Sequence, residues 1–196
     1  MPRTTEQFQA MQEESRQAIL EAALELFSIH GFAQTSVAMI AKRAGISQGL
    51  MYNYFASKEE LLKAIFEQGW RDVQASFLLP PPKRKGGARP SLYDFIENAC
   101  RLTLRHRDFW RLVNTLRGQQ VIMEALKDDI ERFEASIHRQ LETFCRVSYS
   151  PDPESEARLI FALIDGICHH LVRNPETYPL ENVLALLKPQ YQARLL

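Results

Sequence analysis

The chain is short of several things, and each shortage removes a class of protein. It lacks any charge imbalance, since 24 Lys and Arg are matched by 24 Asp and Glu. Bulk charge therefore does not announce a nucleic-acid binder. No apolar run approaches the ~18 residues of a membrane span. The N-terminal MPRTTEQFQAMQEESRQ is polar, without the apolar core of a signal peptide. A cytoplasmic protein with no membrane partner is expected. Cysteine is scarce: Cys100, Cys145 and Cys168 are odd in number and widely spaced, which reads as buried free thiols rather than a disulfide framework or a metal cluster. Strand alternation and internal repeats are missing. So are a nucleophile motif, a Gly-rich phosphate loop and paired metal ligands, so no enzyme, no cofactor and no metal is expected.

What is present is helical periodicity from end to end. With 196 residues, 45% of them hydrophobic, the chain has enough material for one or two compact all-α domains. The organising stretch is Thr35–Lys58, TSVAMIAKRAGISQGLMYNYFASK. It contains no Asp or Glu, while Lys42, Arg43 and Lys58 are basic. Thr35 and Ser36 can cap a first short helix, with Ile40, Ala41 and Ala44 facing inward. Gly45 supplies the left-handed backbone of a tight turn, and Ile46 fills the core behind it. Ser47 caps a second helix anchored by Leu50, Met51 and Phe55, which leaves Gln48, Gly49, Tyr52 and Asn53 facing outward. That pattern suits a helix-turn-helix whose second helix enters a DNA major groove. The first 79 residues carry seven Lys and Arg against nine Asp and Glu. The local exclusion of acids, and not the domain's net charge, therefore supports a phosphate-facing surface.

Ahead of this stretch, Ser15 reads as the cap of a first helix that carries Ile19, Leu20, Ala23, Leu26 and Phe27 and stops at Gly31. Residues before Ser15 read as a polar extension of that helix or a loose arm. After it, Ser57-Lys58-Glu59-Glu60 is a capping box opening a long helix whose apolar stripe includes Leu62, Phe66, Gly69 and Trp70. Residues 79–90, with the run Pro80-Pro81-Pro82, Gly86-Gly87 and Pro90, form the clearest break and read as a flexible basic loop. Helices follow from Ser91 to about His106, over Phe109–Arg117, from about Gln120 to Arg146, over Glu154–Arg173 and over Leu180–Ala193. The fourth of these is apolar on most sides and must be covered on more than one. Asp165 and His169 share a helix face at i,i+4, but two ligands fall short of a metal site, and His169-His170 read as pocket or interface histidines.

From Arg16 to Leu62, with ILEAALELFSIHGFAQTSVAMIAKRAGISQGLMYNYFASKEELL as the signature, the chain resembles the TetR family of transcriptional regulators. The resemblance implies an all-α chain with a DNA-binding helix-turn-helix domain at 1–60 and a helical effector-binding and dimerisation domain at 61–196. It implies phosphate contacts from Thr35 and Ser36. Ser47, Gln48, Gly49 and Asn53 would lie toward bases or backbone, and Tyr52, Tyr54 and Lys58 would hold flanking phosphates. Many relatives carry Lys or Arg where this chain has Gln48. The partners implied are a palindromic double-stranded DNA operator, a second copy of the chain and a small-molecule effector of apolar or aromatic character. A homodimer through the last two long helices would use Leu163, Ile164, Ile167, Leu171, Leu184 and Leu187. Candidate effector-pocket residues are Phe95, Phe109, Trp110, Phe144 and Phe161. A repressor released by its effector is the leading expectation, and a DNA-binding regulator not controlled by a ligand is the alternative.

Overall fold

A computed structural model describes residues 5–77, 91–147 and 150–192, with the side chains of 5–6 and 74–77 outside the description. The loop expected at 79–90 lies outside the described residues. Ten helices are described: α1 (Thr5–His30), α2 (Val37–Ala44), α3 (Gln48–Tyr52), α4 (Lys58–Phe77), α5 (Leu92–Arg105), α6 (Arg107–Leu116), α7 (Gln120–Ala125), α8 (Lys127–Val147), α9 (Pro153–Arg173) and α10 (Leu180–Tyr191).

Local chemistry sets most of these bounds. Gly31, at φ +82°, donates its N–H to Phe27 O at 3.0 Å and ends α1. Phe32 then folds back on Phe27 with ring centroids 5.1 Å apart, the hydrophobic contact that accompanies such a cap. Ser91 and Asp94 form a reciprocal capping box at the start of α5. Asp152 accepts from Ser155 N at 3.1 Å, with Pro153 in the first turn of α9.

Two expectations about helix bounds need correction. Ser15 does not cap α1: its hydroxyl donates to Met11 O at 2.9 Å inside a helix that begins at Thr5. The single helix expected over 120–146 is two, because the chain breaks at Leu126 (φ −104°, ψ 2°). Leu126 is itself buried, so the break turns an apolar residue into the core without interrupting the apolar spacing.

Helices α1 to α3 and the start of α4 form a head. Its core is Ile19, Ala23, Phe27, Ile40, Met51 and Phe55, side chains whose burial contributes ~1.5–3 kcal/mol each for the larger ones. Helix α4 runs unbroken from head to body, so a division at residue 60 falls inside it. In the body, α5 packs on α9, α4 and α10, while α8 lies along α9. Helix α6 packs on both α1 and α9, which gives the body a second connection to the head. Among the described residues, no helix is long and apolar enough to cross a membrane.

Candidate nucleic-acid interface and cavity

Helix α2 starts where Ser36 Oγ accepts Met39 N–H at 3.2 Å and stops at Gly45 (φ +71°). The turn is closed by Ile46 N–H donating to Ala41 O at 3.0 Å. Ser47 Oγ then accepts Leu50 N–H at 3.1 Å and starts α3. Met51, 1% exposed, and Phe55, 3% exposed, hold α3 to the head. Leu50, expected as a third anchor, is 37% exposed instead. Leu50 lies about 100° around the helix from Met51, so in so short a helix the two do not face the core equally. Ser36, Ser47, Gln48, Gly49, Tyr52 and Asn53 are all exposed, and Tyr54 is half-buried. A Cβ built on Gly49 would meet nothing within 4 Å, so the protein's own packing does not require glycine there.

Two of the residues expected at phosphates are engaged within the head itself. Thr35 is 1% exposed, and its hydroxyl donates to Gly31 O at 2.9 Å and Leu26 O at 3.2 Å. It is spent on joining the end of α1 to the start of α2. Lys58 is half-buried, and its ammonium donates to Phe32 O at 2.7 Å and Thr35 O at 3.0 Å. It also lies 4.4 Å from the centroid of the Phe32 ring. A cation beside two carbonyls and an aromatic face is a clamp on the α1–α2 connection. Arg43 is drawn to Glu25 at 2.5 Å. Of the three basic residues in the stretch, only Lys42 is exposed and without an acidic partner among the described residues. The face presented by α3 is therefore polar but carries little charge.

In the body, α4 to α9 enclose a cavity of about 220 Å³. Trp110 and Phe161, two of the five aromatic residues expected to line a pocket, do line it. The other three are core. Phe95 and Phe144 pack edge to face at 5.5 Å. Phe109 is 3% exposed and sits in a T-shaped contact with Trp70 at 5.0 Å. The residues that complete the aromatic wall are Trp70 and Phe133, whose rings stack at 4.3 Å. Trp70 reads in the sequence as one residue of an apolar stripe, and nothing local distinguishes a stripe residue at a cavity from one in the core. The polar part of the wall includes Asn114, His169 and an ion pair between Arg117 Nη2 and Asp165 Oδ1 at 2.8 Å. His170 stacks instead on Tyr178, with rings 5.9 Å apart and 10° from parallel. Among the described residues, no group of three or more His, Cys, Asp or Glu could hold a metal ion.

The expected dimer residues divide in two. Ile164, Ile167, Leu171 and Leu184 are buried in the chain's own core, because they point from α9 and α10 toward α5 and α8. Leu163 and Leu187 are half-buried. They lie beside an outward apolar face that the expectation missed, with Leu159 67% and Leu186 71% exposed, and Ala162 and Gly166 on the same side of α9. The missed signal was spacing: Leu159, Ala162, Leu163 and Gly166 recur at i, i+3, i+4 and i+7.

A helix-turn-helix head continuous with a helical body that holds a cavity defines a class of DNA-binding regulator architecture. Residues 19–65, which lie in this head and the start of α4, match the family described as bacterial regulatory proteins, tetR family. The HTH-type transcriptional regulator AcrR of Shigella flexneri is 46% identical over 55 residues, which are 28% of this chain and 26% of AcrR. The chain thus matches only about a quarter of the length of such curated relatives. A transcriptional regulator from Rhodococcus sp. Rha1 shares the fold, with a TM-score of 0.72 over 89% of this chain and 92% of that one at 19% identity. NalD of Pseudomonas aeruginosa, the secondary repressor of the MexAB-OprM multidrug efflux pump, gives a TM-score of 0.63 at 26% identity over 90% of this chain and 94% of its own.

Proposed function

We propose that the protein is a dimeric, cytoplasmic transcriptional repressor that binds a palindromic operator through α3 and is released by a small molecule in the body cavity. The observation that carries the reading is the α3 face. Gln48, Gly49, Tyr52 and Asn53 are exposed together on a helix held by Ser47 and Met51, in a head that matches the TetR family. Ser36 and Tyr54 flank that face and are assigned to phosphates. Gln48 is assigned to base readout, because its amide can pair with both edge groups of an adenine. The repressor activity of NalD supports the sign of regulation.

Few charges on the reading face imply weak non-specific binding per head, so the operator complex depends on pairing two heads. The outward face of α9 and α10, around Leu159, Leu163, Leu186 and Leu187, is assigned to a two-fold interface of four helices. Effector control requires the ligand to prefer one arrangement of heads over another. Helix α6 supports such coupling, because Trp110, Val113, Asn114 and Arg117 line the cavity while the same helix packs on α1.

Selection of bound fragments from a random DNA pool, followed by footprinting, tests the reading. The expected product is an inverted repeat whose half-sites lie about one helical turn, ~34–36 Å, apart. Recovery of no enriched sequence, or of a single unrepeated site, would overturn it.

A further inference from the structure

Two of the chain's three thiols meet where α5 packs on α9. We infer that Cys100 and Cys168 form an oxidation site for hydroperoxides: a peroxide entering the body cavity oxidises Cys168, and Cys100 then closes a disulfide that ties α5 to α9.

The two sulfurs differ in access. Cys168 is half-buried and lines the cavity of about 220 Å³. Cys100 is 0% exposed. A small solute therefore reaches Cys168 from the cavity, and Cys100 only by way of Cys168. The Cys168 Sγ lies 4.0 Å from the carbonyl oxygen of Ala99, the residue before Cys100, which sets it against that turn of α5. The two thiols share a hydrogen bond. Two thiols in contact across a pair of packed helices are the arrangement from which a disulfide can close.

The hydrogen bond also divides the roles. It lowers Cys168 below the usual thiol range and, together with burial, raises Cys100. Burial and the Asp165 carboxylate act against the lowering at Cys168 without cancelling it. Cys168 thus supplies the thiolate, the form that attacks, while Cys100 stays protonated. An accessible thiolate beside a second thiol that can resolve it is the pattern of reversible cysteine oxidation.

The chemistry balances in two steps. The Cys168 thiolate attacks a peroxide oxygen. An S–O bond forms, the O–O bond breaks, and the departing alkoxide or hydroxide takes up a proton and leaves as alcohol or water. Cys168 is now a sulfenic acid, and the charge that helped to raise Cys100 is gone. The Cys100 sulfur then attacks the Cys168 sulfur. The S–S bond forms, the S–O bond breaks, and the Cys100 proton leaves with the hydroxyl as water. The thiols lose two electrons in all, and the hydroperoxide accepts them.

Bond formation draws α9 and α5 together. Helix α9 also packs on α6 and carries the outward face around Leu159 and Leu163. On the reading of the protein as a dimeric repressor, the disulfide therefore lowers operator affinity.

Full-length reduced protein is treated with hydrogen peroxide, denatured, alkylated and digested for peptide mapping by mass spectrometry. The expected product is a disulfide within one chain joining the Cys100 and Cys168 peptides, with Cys145, buried on α8, still alkylated. Dithiothreitol is expected to return all three thiols. Cys100→Ser should stop at a sulfenic acid on Cys168 that dimedone traps, and Cys168→Ser should slow the oxidation of Cys100 roughly tenfold or more. A sulfenic or sulfinic acid on Cys168 of the natural chain without the disulfide overturns the inference. So does a disulfide through Cys145 or between two chains, and so does survival of all three thiols in peroxide that oxidises free glutathione. The peptide map of the natural chain decides the matter even if a variant fails to fold. Operator binding of oxidised and reduced protein is compared in parallel, with a loss of roughly tenfold expected on oxidation. A disulfide that leaves operator affinity unchanged keeps the oxidation site and refutes its coupling to DNA. Failure to find any operator refutes the repressor reading and leaves the disulfide standing as mapped.

Discussion

The Lys58 ammonium lies 2.7 Å from the Phe32 carbonyl oxygen and 4.4 Å from the centroid of the Phe32 ring. One residue thus receives both the hydrogen bond and the cation–π contact, and a second carbonyl, that of Thr35, completes the clamp. Charge-assisted bonds of this kind contribute ~1.5–3 kcal/mol each when the charge is partly desolvated. Lys58→Met keeps the aliphatic stem and removes the charge. It is expected to destabilise the protein by ~1–3 kcal/mol, read as a lower midpoint in urea unfolding. A phosphate contact would behave differently, since each lost contact lowers the salt slope of DNA binding by about 0.9. Unchanged stability with a reduced salt slope would return Lys58 to the DNA.

Gly69 on α4 lets Phe109 of α6 approach until a Cβ would sit 2.3 Å from its ring. Phe109 cannot retreat, because it is buried among Phe66, Trp70 and Trp110. Gly69→Ala gains up to ~1 kcal/mol of helix propensity and incurs ~1–3 kcal/mol of overpacking. A net loss of stability is expected, accompanied by a shift in tryptophan emission because Trp70 and Trp110 touch the displaced ring. A variant as stable as the natural chain would contradict the close approach.

Local signals and tertiary ones differed in how legible they were. Ser36, Gly45, Ser47 and Ser91 mark their helix ends because capping and the left-handed turn act within four residues. The break at Leu126 was illegible because Ile122, Leu126 and Ile130 stay at helical spacing across it. The α3 face was readable from the absence of acids and the placement of Met51. Its charge was not, since the pairing of Arg43 with Glu25 and of Lys58 with Phe32 bridges residues far apart in sequence. The same limit separated cavity wall from core. Trp70 and Phe95 look alike as stripe residues, and only the packing of α4 to α9 puts one at the cavity and the other in the interior.

Helix α9 shows how an all-round apolar helix misleads. Its inner residues Ile164, Ile167 and Leu171 were as plausible for an interface as its outer ones, but the chain's own core claims them. The outer residues decide oligomeric state. Leu159→Glu combined with Leu186→Glu is expected to give a folded monomer, with helical circular dichroism retained and light-scattering mass halved, because both side chains are more than half exposed within one chain. Ile164→Glu, by contrast, is expected to unfold the body, since it buries a charge without a partner. A dimer that survives the double substitution would place the interface elsewhere.

The three thiols should react in a fixed order. Cys100 and Cys145 are buried, and Cys168 is half-buried in the cavity wall. A hydrogen bond with the Cys100 thiol holds Cys168 below the usual thiol range. The same hydrogen bond, together with burial, pushes Cys100 far up. The thiolate is the reactive form. Labelling of the native protein with Ellman's reagent is expected to begin at Cys168 alone, at a rate that rises with pH through a midpoint lower than that of a free thiol. Cys168→Ser should abolish the fast phase. Fast labelling of Cys100 would show that the pair is polarised in the opposite sense.

Gln48 carries the most specific expectation. It stands exposed at the first position of α3, one residue after the Ser47 cap. Its amide offers one donor and one acceptor side, which match the adenine edge in the major groove. It carries no charge, so removing it leaves the phosphate contacts intact. Gln48→Ala is therefore expected to weaken operator binding by ~1–3 kcal/mol at unchanged salt slope, and to relax preference at one base pair per half-site. Competition binding against a panel of single-base operator variants measures both effects. If the loss were the same on the operator and on scrambled DNA, Gln48 would be a backbone contact, and the reading of sequence would fall to Tyr52 and Asn53 on the same exposed face.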